Sequence, residues 1–298
     1  MEEQISFQTA HEGKGTLYLV PTPIGNLDDI TFRALEILKT ADIVAAEDTR
    51  NTMKLCAHFE IHTPLVSYHE HNKRASGEKL IAELLSGKTV ALVTDAGTPG
   101  ISDPGADLAA SCIGQKIPVV PLPGANAAVT GLIASGLSTD HFLFYGFLPR
   151  QKKERTQALQ ALTGLPYTLV FYESPRRILH TLKDLHEAFG DRKISLSKEL
   201  TKRFETFFRG KITDVLSSLE EKGEVKGEVC LIVAGAEEAQ KQTDDLWWRI
   251  LDVSAHVDHY VKDKNMTVRD AIKQTAVDRS VPKRDVYRIY HHIDDKSG

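Results

Sequence analysis

Short apolar runs of strand length alternate along the chain with longer stretches in which apolar positions recur every three or four residues. Thr16–Val20 is the first such run and ends at Pro21; Asp42–Ala46, Leu65–Ser67, Thr89–Val93 and Ile117–Leu122 read the same way. Between them, Ile30–Lys39 sets Ile30, Ala34, Leu35, Ile37 and Leu38 along one helical stripe. Lys73–Leu85 runs into Gly87 as a cap, Asp103–Ile113 is followed by Gly114, and Ala125–Ala134 is a helix of small residues. Five apolar strands separated by helices predict a doubly wound parallel sheet, covered on both faces and joined by right-handed crossovers. This first α/β domain is expected to span residues 15–140.

The alternation then restarts. Phe142–Tyr145, Tyr167–Tyr172 and Glu228–Ala234 read as strands, and Gln151–Leu162, Pro175–Ala188 and Ile212–Leu219 as helices, the second with proline placed in its first turn. Lys193–Lys198 and Arg203–Arg209 form a hairpin pair, so the second α/β domain, residues 141–236, is expected to hold a mixed sheet. Past Ala236 the composition changes. Glu237–Asp258 carries six acids and two bases, whereas Lys262–Gly298 carries nine bases and six acids. The extension 237–298 reads as helical. Val268–Val277 and Lys283–His292 flank a turn at Asp278–Pro282, with Ala276, Val281, Val286 and Ile289 where a helix-turn-helix buries apolar side chains. Trp247 and Trp248 fit an apolar anchor for this extension better than a base-stacking platform.

Composition narrows the class of protein. At 298 residues, 41% hydrophobic and 26% charged, the chain has the make-up of an ordinary soluble protein. No apolar run reaches the ~18–20 residues of a membrane span. Residues 1–14 lack a basic start and an apolar core, so they read as a mobile leader rather than a secretory signal. Cys56, Cys112 and Cys230 are few and widely spaced, which suits reduced thiols in the cytoplasm. A net charge of −4 leaves nucleic-acid binding to local patches.

The strand ends carry the unusual chemistry. In open α/β sheets ligands bind at the carboxyl ends of the strands. Three such ends here, Pro21–Asn26, Val93–Gly105 and Pro121–Asn126, are rich in glycine and proline, which clear and fix a path for a ligand beside the backbone. Familiar nucleotide motifs do not fit. Gly13 and Gly15 precede the first strand instead of following it, no P-loop spacing is present, and Pro104 spoils a nucleophile elbow around Ser102. His69 with His71, and His58 with His62 at helical i, i+4 spacing, lack a third ligand at a recognisable distance, so no metal is expected.

Six segments in order carry a resemblance: Pro21–Asp29 (PTPIGNLDD), Ala46–Arg50 (AEDTR), Thr94–Pro104 (TDAGTPGISDP), Pro121–Ala125 (PLPGA), Phe171–Arg176 (FYESPR) and Lys198–Lys202 (KELTK). Together they resemble the tetrapyrrole-methylase-like class of S-adenosylmethionine (SAM) methyltransferases, in the branch that methylates small-subunit ribosomal RNA. The resemblance covers roughly residues 15–236. It implies two α/β domains with SAM in the cleft between them, usually in a homodimer, and methylation of the ribose 2′-hydroxyl of a cytidine in the 16S decoding region. By the same match, Pro23, the run Thr94, Asp95, Ala96, Gly97 and Thr98, and the trio Leu122, Pro123 and Gly124 line the SAM cleft, and Tyr172 closes it.

A ribose hydroxyl is a weak acid, so a general base would help the transfer. Asp48 and Glu199 are the candidates; the plainer readings are that Asp48 caps a helix starting at Thr49 and that Glu199 pairs with Lys198 or Lys202. Arg50, Arg176, Lys283, Arg284 and Arg288 are the candidate RNA contacts, with Arg150, Lys152, Lys153, Arg155 and Arg177 forming further basic groups. Two other functions stay open: methylation of a small tetrapyrrole, against which the basic extension weighs, and non-enzymatic RNA binding, for which three specialised loops would be surplus.

Overall fold

The computed structural model describes residues 4–6, 13–223, 227–236, 248, 251–279 and 281–291. Most of the leader, Trp247 and His292 lie outside the described residues. The chain divides into two compact units, Met1–Ala236 and Glu237–Gly298.

The first unit holds two sheets. In the first, β1 (Leu17–Leu19), β2 (Ile43–Ala46), β3 (Leu65–Ser67), β4 (Val90–Val93) and β5 (Val119–Pro121) lie in the order β3-β2-β4-β1-β5, all parallel. Successive side chains point to opposite faces of a strand, and both faces here are apolar. Val44, Ala46, Ala91 and Val93 pack with Ala34, Leu38 and Cys56 of α1 (Phe32–Thr40) and α2 (Thr49–His58). Ala45, Val90 and Leu92 pack with Leu80, Leu84, Leu108 and Cys112 of α3 (Lys73–Leu85) and α4 (Ala106–Gly114).

The second sheet runs β6 (Phe142–Phe147), β7 (Thr168–Glu173), β10 (Val229–Val233), β8 (Lys193–Lys198) and β9 (Thr206–Lys211), parallel at β6–β7 and antiparallel elsewhere. One face, with Leu169, Phe171, Leu196 and Leu231, packs under α6 (Lys152–Leu162), α7 (Ile178–Phe189) and α8 (Ile212–Lys222). The other face, with Val170, Cys230 and Ile232, packs on Ala128 and Leu132 of α5 (Ala127–Ile133) and on Ile24. That second contact joins the two sheets and places the loops of the first sheet against the strands of the second.

Three expected boundaries move, each for a local reason. Helix α4 begins at Ala106, not Asp103, because a residue before proline avoids the helical region and Gly105 adopts φ +139°. Helix α7 begins at Ile178 rather than Pro175, since Ser174–Arg177 closes as a turn through Arg177 N to Ser174 O at 3.0 Å. Strand β9 begins at Thr206 rather than Arg203, because Glu199 and Thr201 have positive φ and the chain turns before it can pair.

In the second unit, α9 (Val253–Lys262), α10 (Val268–Asp278) and α11 (Lys283–Tyr290) bury Val257, Ala271, Ile272, Ala276 and Val286. Val281 and Ile289, expected inside, are 40% and 50% exposed. A helix as short as α11 has room for one buried stripe, and Val286 with Tyr290 forms it. Trp248 stacks on His256 with ring centroids 5.4 Å apart, and the Arg279 guanidinium lies 5.2 Å from the Trp248 ring, so Trp248 is an anchor within this unit.

Candidate active site

The loop after β1 meets the loop after β4 through two backbone bonds, Thr22 N to Gly97 O at 2.9 Å and Gly97 N to Thr22 O at 3.0 Å. The Thr22 hydroxyl adds a bond to Thr94 O at 3.1 Å. Gly97 has φ +90° and Ile24 and the Ala125 carbonyl close by, so a side chain there would be strained. At Gly124 a Cβ would fall 2.5 Å from the Pro21 ring, which locks the loops after β1 and β5 together.

These loops and the inner face of the second sheet enclose a cavity of about 290 Å³. Its walls include Ala96, Gly97, Thr98 and Asp103 from the first sheet, and Tyr172, Ser174, Ser197 and Glu228 from the second. The Tyr172 hydroxyl accepts a hydrogen bond from Ala128 N at 3.1 Å. Asn126 caps the same helix through Ala128 N and Val129 N and reaches the Thr98 hydroxyl at 3.4 Å. Burial pushes the Tyr172 phenol up to about 12, so it stays protonated at neutral pH.

A second, smaller cavity of about 200 Å³ is lined by Thr22, Pro23, Asn51, Lys54, Thr94 and Asp95 among others. Of the residues expected around SAM, Ala96, Gly97, Thr98 and Tyr172 line the larger cavity and Pro23, Thr94 and Asp95 the smaller. Leu122, Pro123 and Gly124 line neither; Leu122 is buried in the core of the first sheet. The Asp95 carboxylate accepts from Asp48 N and from Asn51 Nδ2, both at 3.2 Å, tying its loop to the start of α2.

Asp48 and Glu199 line neither cavity. Asp48 caps α2 through Arg50 N at 2.9 Å and grips the Arg50 guanidinium at 3.0 and 2.7 Å. Hydrogen bonding to the Arg50 side chain, helped by the Arg50 amide, holds its carboxyl down to about 2, so it is a weak proton acceptor. Glu199 accepts from Lys202 Nζ at 3.0 Å and Glu228 N at 3.2 Å, bracing the turn before β9. Arg50 is 84% exposed beyond its pair, and Arg176 is also exposed. Arg155 and Arg177 are committed inward: Arg155 to Asp184 at 2.6 Å, and Arg177 to the Leu148 and Pro149 carbonyls at 3.0 and 3.2 Å. His58 ends α2, and Glu60 beyond it has φ +53°, so His58 and His62 do not share a helix face.

The residue that sequence reasoning passed over is Asp103. Burial first, then the nearby carboxylates of Glu47, Asp95 and Glu228, push its carboxyl up to about 7. The buried Thr94 hydroxyl beside it pulls the other way, as a hydrogen-bond donor towards that carboxyl. Reading Asp103 as the first residue of a helix hid it; the proline that follows was the available signal that it belonged to the loop.

The cavity's walls suit SAM. Among the described residues they carry Asp103, Glu173 and Glu228 but no lysine or arginine, which suits a sulfonium cation, and Ala96, Gly97 and Thr98 line them beside these acids. Comparison with known proteins agrees. The tetrapyrrole (corrin/porphyrin) methylase family matches residues 16–216. A protein of Halalkalibacterium halodurans named ribosomal RNA small subunit methyltransferase I is 54% identical over 98% of this chain and 99% of its own length. Its namesake in Bacillus subtilis is 52% identical over the same shares. The fold is also that of uroporphyrin-III C-methyl transferase from Thermus thermophilus, solved in complex with S-adenyl homocysteine, with a TM-score of 0.53 at 20% identity over 74% of this chain and 97% of that one. The chain therefore belongs to the tetrapyrrole methylase family and, within it, to the ribosomal RNA small subunit methyltransferase I group of methyltransferases.

Proposed function

We propose that this chain transfers the methyl group of SAM to the ribose 2′-hydroxyl of a cytidine in the decoding region of 16S ribosomal RNA, acting in the cytoplasm as a homodimer on the small ribosomal subunit, without a metal. The near full-length identity to proteins named for small-subunit ribosomal RNA methylation carries the substrate. The ribose and the cytidine follow from the resemblance of the six loop segments.

Bound in the larger cavity, SAM would supply a methyl group on a positively charged sulfur, open to in-line attack. The chain's part is to hold and align. Ala96, Thr98 and the side chain of Tyr172 would position the donor, and the prolines and glycines of the three loops keep that frame from moving. Asp48, closed on Arg50, is assigned to presenting that guanidinium to an RNA phosphate. Glu199 is assigned to holding the turn that carries Leu200 into the cavity wall. Arg176, Lys283, Arg284 and Arg288 are the further proposed RNA contacts, Lys283 and Arg284 being exposed on α11.

Incubation with methyl-labelled SAM and, in parallel, 30S subunits, naked 16S RNA and a tetrapyrrole tests this reading. Label in one decoding-region cytidine, resistant to alkaline cleavage on its 3′ side, is the expected result. Label in the tetrapyrrole alone would overturn it.

A further inference from the structure

We propose that Asp103 is the proton acceptor of the larger cavity, taking the proton of the acceptor hydroxyl as the methyl group is transferred. The proposal deepens the methyl-transfer reading above and rests on it. In the step, the hydroxyl oxygen forms its bond to the methyl carbon while the carbon–sulfur bond breaks and its electron pair neutralises the sulfonium. The proton passes from that oxygen to the Asp103 carboxylate and then to water, so charge and atoms balance.

The first support is position. Asp103 lies in the wall of a cavity whose only charged residues, among those described, are acidic. Of the three, Glu173 is spent: it is 3% exposed and accepts from Ser174 N and the Thr181 hydroxyl, both at 2.7 Å, with Arg177 at 3.4 Å. Glu228 is largely exposed and lies 3.6 Å from Lys202. Among the described residues Asp103 has no ion pair, and it is half-buried.

The second support is the backbone that delivers it. Ser102 has φ +61°, rare for a residue with a side chain, and Gly105 has φ +139° with room for no Cβ, since one would lie 2.9 Å from Leu92 Cδ2. A strained Ser102 next to a carboxylate in a cavity wall is a pattern of functional sites, and Gly105 supplies the turn that only glycine fits. The groups facing Asp103 are Glu47 at the end of β2, Thr94 and Asp95 after β4, Tyr172 on β7 and Glu228 before β10. None is cationic. Burial and these carboxylates push its carboxyl up to about 7, close to the operating pH at which a general base works best. A cation arriving beside it favours the charged form. Donor binding thus drives off the proton and arms the carboxylate before the hydroxyl arrives.

The test uses the full chain, wild type and the variants Asp103→Asn, Asp103→Glu and Glu47→Gln. Calorimetric titration with SAM alone, in buffers of different ionisation heat near neutral pH, counts protons. Wild type is expected to release a substantial fraction of a proton on binding, Glu47→Gln less because that carboxylate helps to raise Asp103, and Asp103→Asn least. Single-turnover methylation of 30S subunits at saturating SAM is expected to rise with pH through a limb below neutrality, because the bound cation favours the charged form of Asp103. Asp103→Asn should fall by about 100-fold or more and lose that limb, with Asp103→Glu in between. If Asp103→Asn binds SAM, stays within about threefold of wild type and keeps the limb, Asp103 is not the base although methylation stands. If wild type leaves 30S subunits unmodified, the substrate reading falls instead, and proton release still judges Asp103: equal release from wild type and Asp103→Asn overturns its role.

Discussion

Asp48 and Asp103 are the same side chain on loops that follow neighbouring strands of one sheet, and their surroundings make them opposites. Asp48 sits at the surface, caps a helix and is closed by Arg50 on two edges. Its charge is satisfied, and its proton affinity is correspondingly low, at about 2. Asp103 sits in a cavity wall among other carboxylates, with no cation beside it among the described residues, and burial and those charges push its carboxyl up to about 7. Position in the sequence motif does not separate the two, since both lie in segments that carry the resemblance. What separates them is whether the structure has spent the charge on a partner. An acid held by an arginine is a positioning device, whereas an acid left unpaired in a closed wall is free to take a proton.

Paired variants give the largest effect by which to break this comparison. Asp103→Asn is expected to cost about 100-fold or more in the single-turnover rate. Asp48→Asn should act mainly through the RNA, raising KM because Arg50 loses its hold, with kcat reduced by less than about tenfold. A rate loss at Asp48 equal to that at Asp103 would mean that the unpaired carboxylate is not special.

Stability against pH gives a second contrast, in which the two residues should pull in opposite directions. The folded-state pKa of Asp48 lies below its unfolded value, so its contribution is present above about pH 4 and is lost as pH falls towards about 2. The folded-state pKa of Asp103 lies above its unfolded value. Between about pH 4 and about pH 7 the unfolded chain has released this proton while the folded one keeps it, so stability falls as pH rises through that window. Asp103→Asn is therefore expected to melt above wild type at pH 8, with the gap closing towards pH 4. Thermal melts across this range check it, and a gap that widens on acidification would contradict the assigned environment.

Much of the architecture was legible from apolar spacing alone. Alternate residues of β2 and β4 feed opposite faces, and continuous apolar runs such as Val90–Val93 can only be buried on both sides. Helix starts were less legible. Pro175 and Asp103 looked like first-turn residues, but each belongs to a turn that shapes the cavity wall. The first-sheet part of the site was visible as three glycine- and proline-rich strand ends. The second-sheet part was only partly so: Tyr172, Ser174 and Leu200 fall in the segments Phe171–Arg176 and Lys198–Lys202, whereas Ser197 and Glu228 carry no such signal and reach the site only because Val170, Cys230 and Ile232 pack onto α5. The charge on Arg155 and Arg177 was equally misleading, because composition does not reveal that both are turned inward onto Asp184 and backbone carbonyls.

Tyr172 sharpens the comparison from the opposite wall. Its phenol oxygen accepts the Ala128 amide and its ring contacts Phe144 and Phe147, so it holds α5 and the cavity mouth together. Tyr172→Phe removes one part-buried hydrogen bond, which typically costs about 1 kcal/mol. We expect a small drop in melting temperature and a several-fold weaker SAM affinity, with the pH limb assigned to Asp103 unmoved. A shifted limb would place the phenol in the proton path and weaken the case for Asp103.

The smallest effect is expected furthest from the cavity, on α11. Lys283 and Arg284 are exposed, and the helix is anchored by Val286, which is fully buried. Removing the two charges should therefore leave the second unit folded. If they meet phosphates, Lys283→Ala with Arg284→Ala should weaken binding to 30S subunits a few-fold at physiological salt. The more telling measure is the salt dependence. Each phosphate contact releases counterions, so losing two should flatten the slope of log affinity against log salt by about 1.5–2. SAM affinity and the proton released on binding it should not change, because those belong to the larger cavity. Filter binding across a salt series, with calorimetry on the same variant, separates the outcomes. An unchanged slope would show that α11 carries an ordinary solvated face, leaving Arg50 and Arg176 to be tested as the RNA contacts by the same salt series.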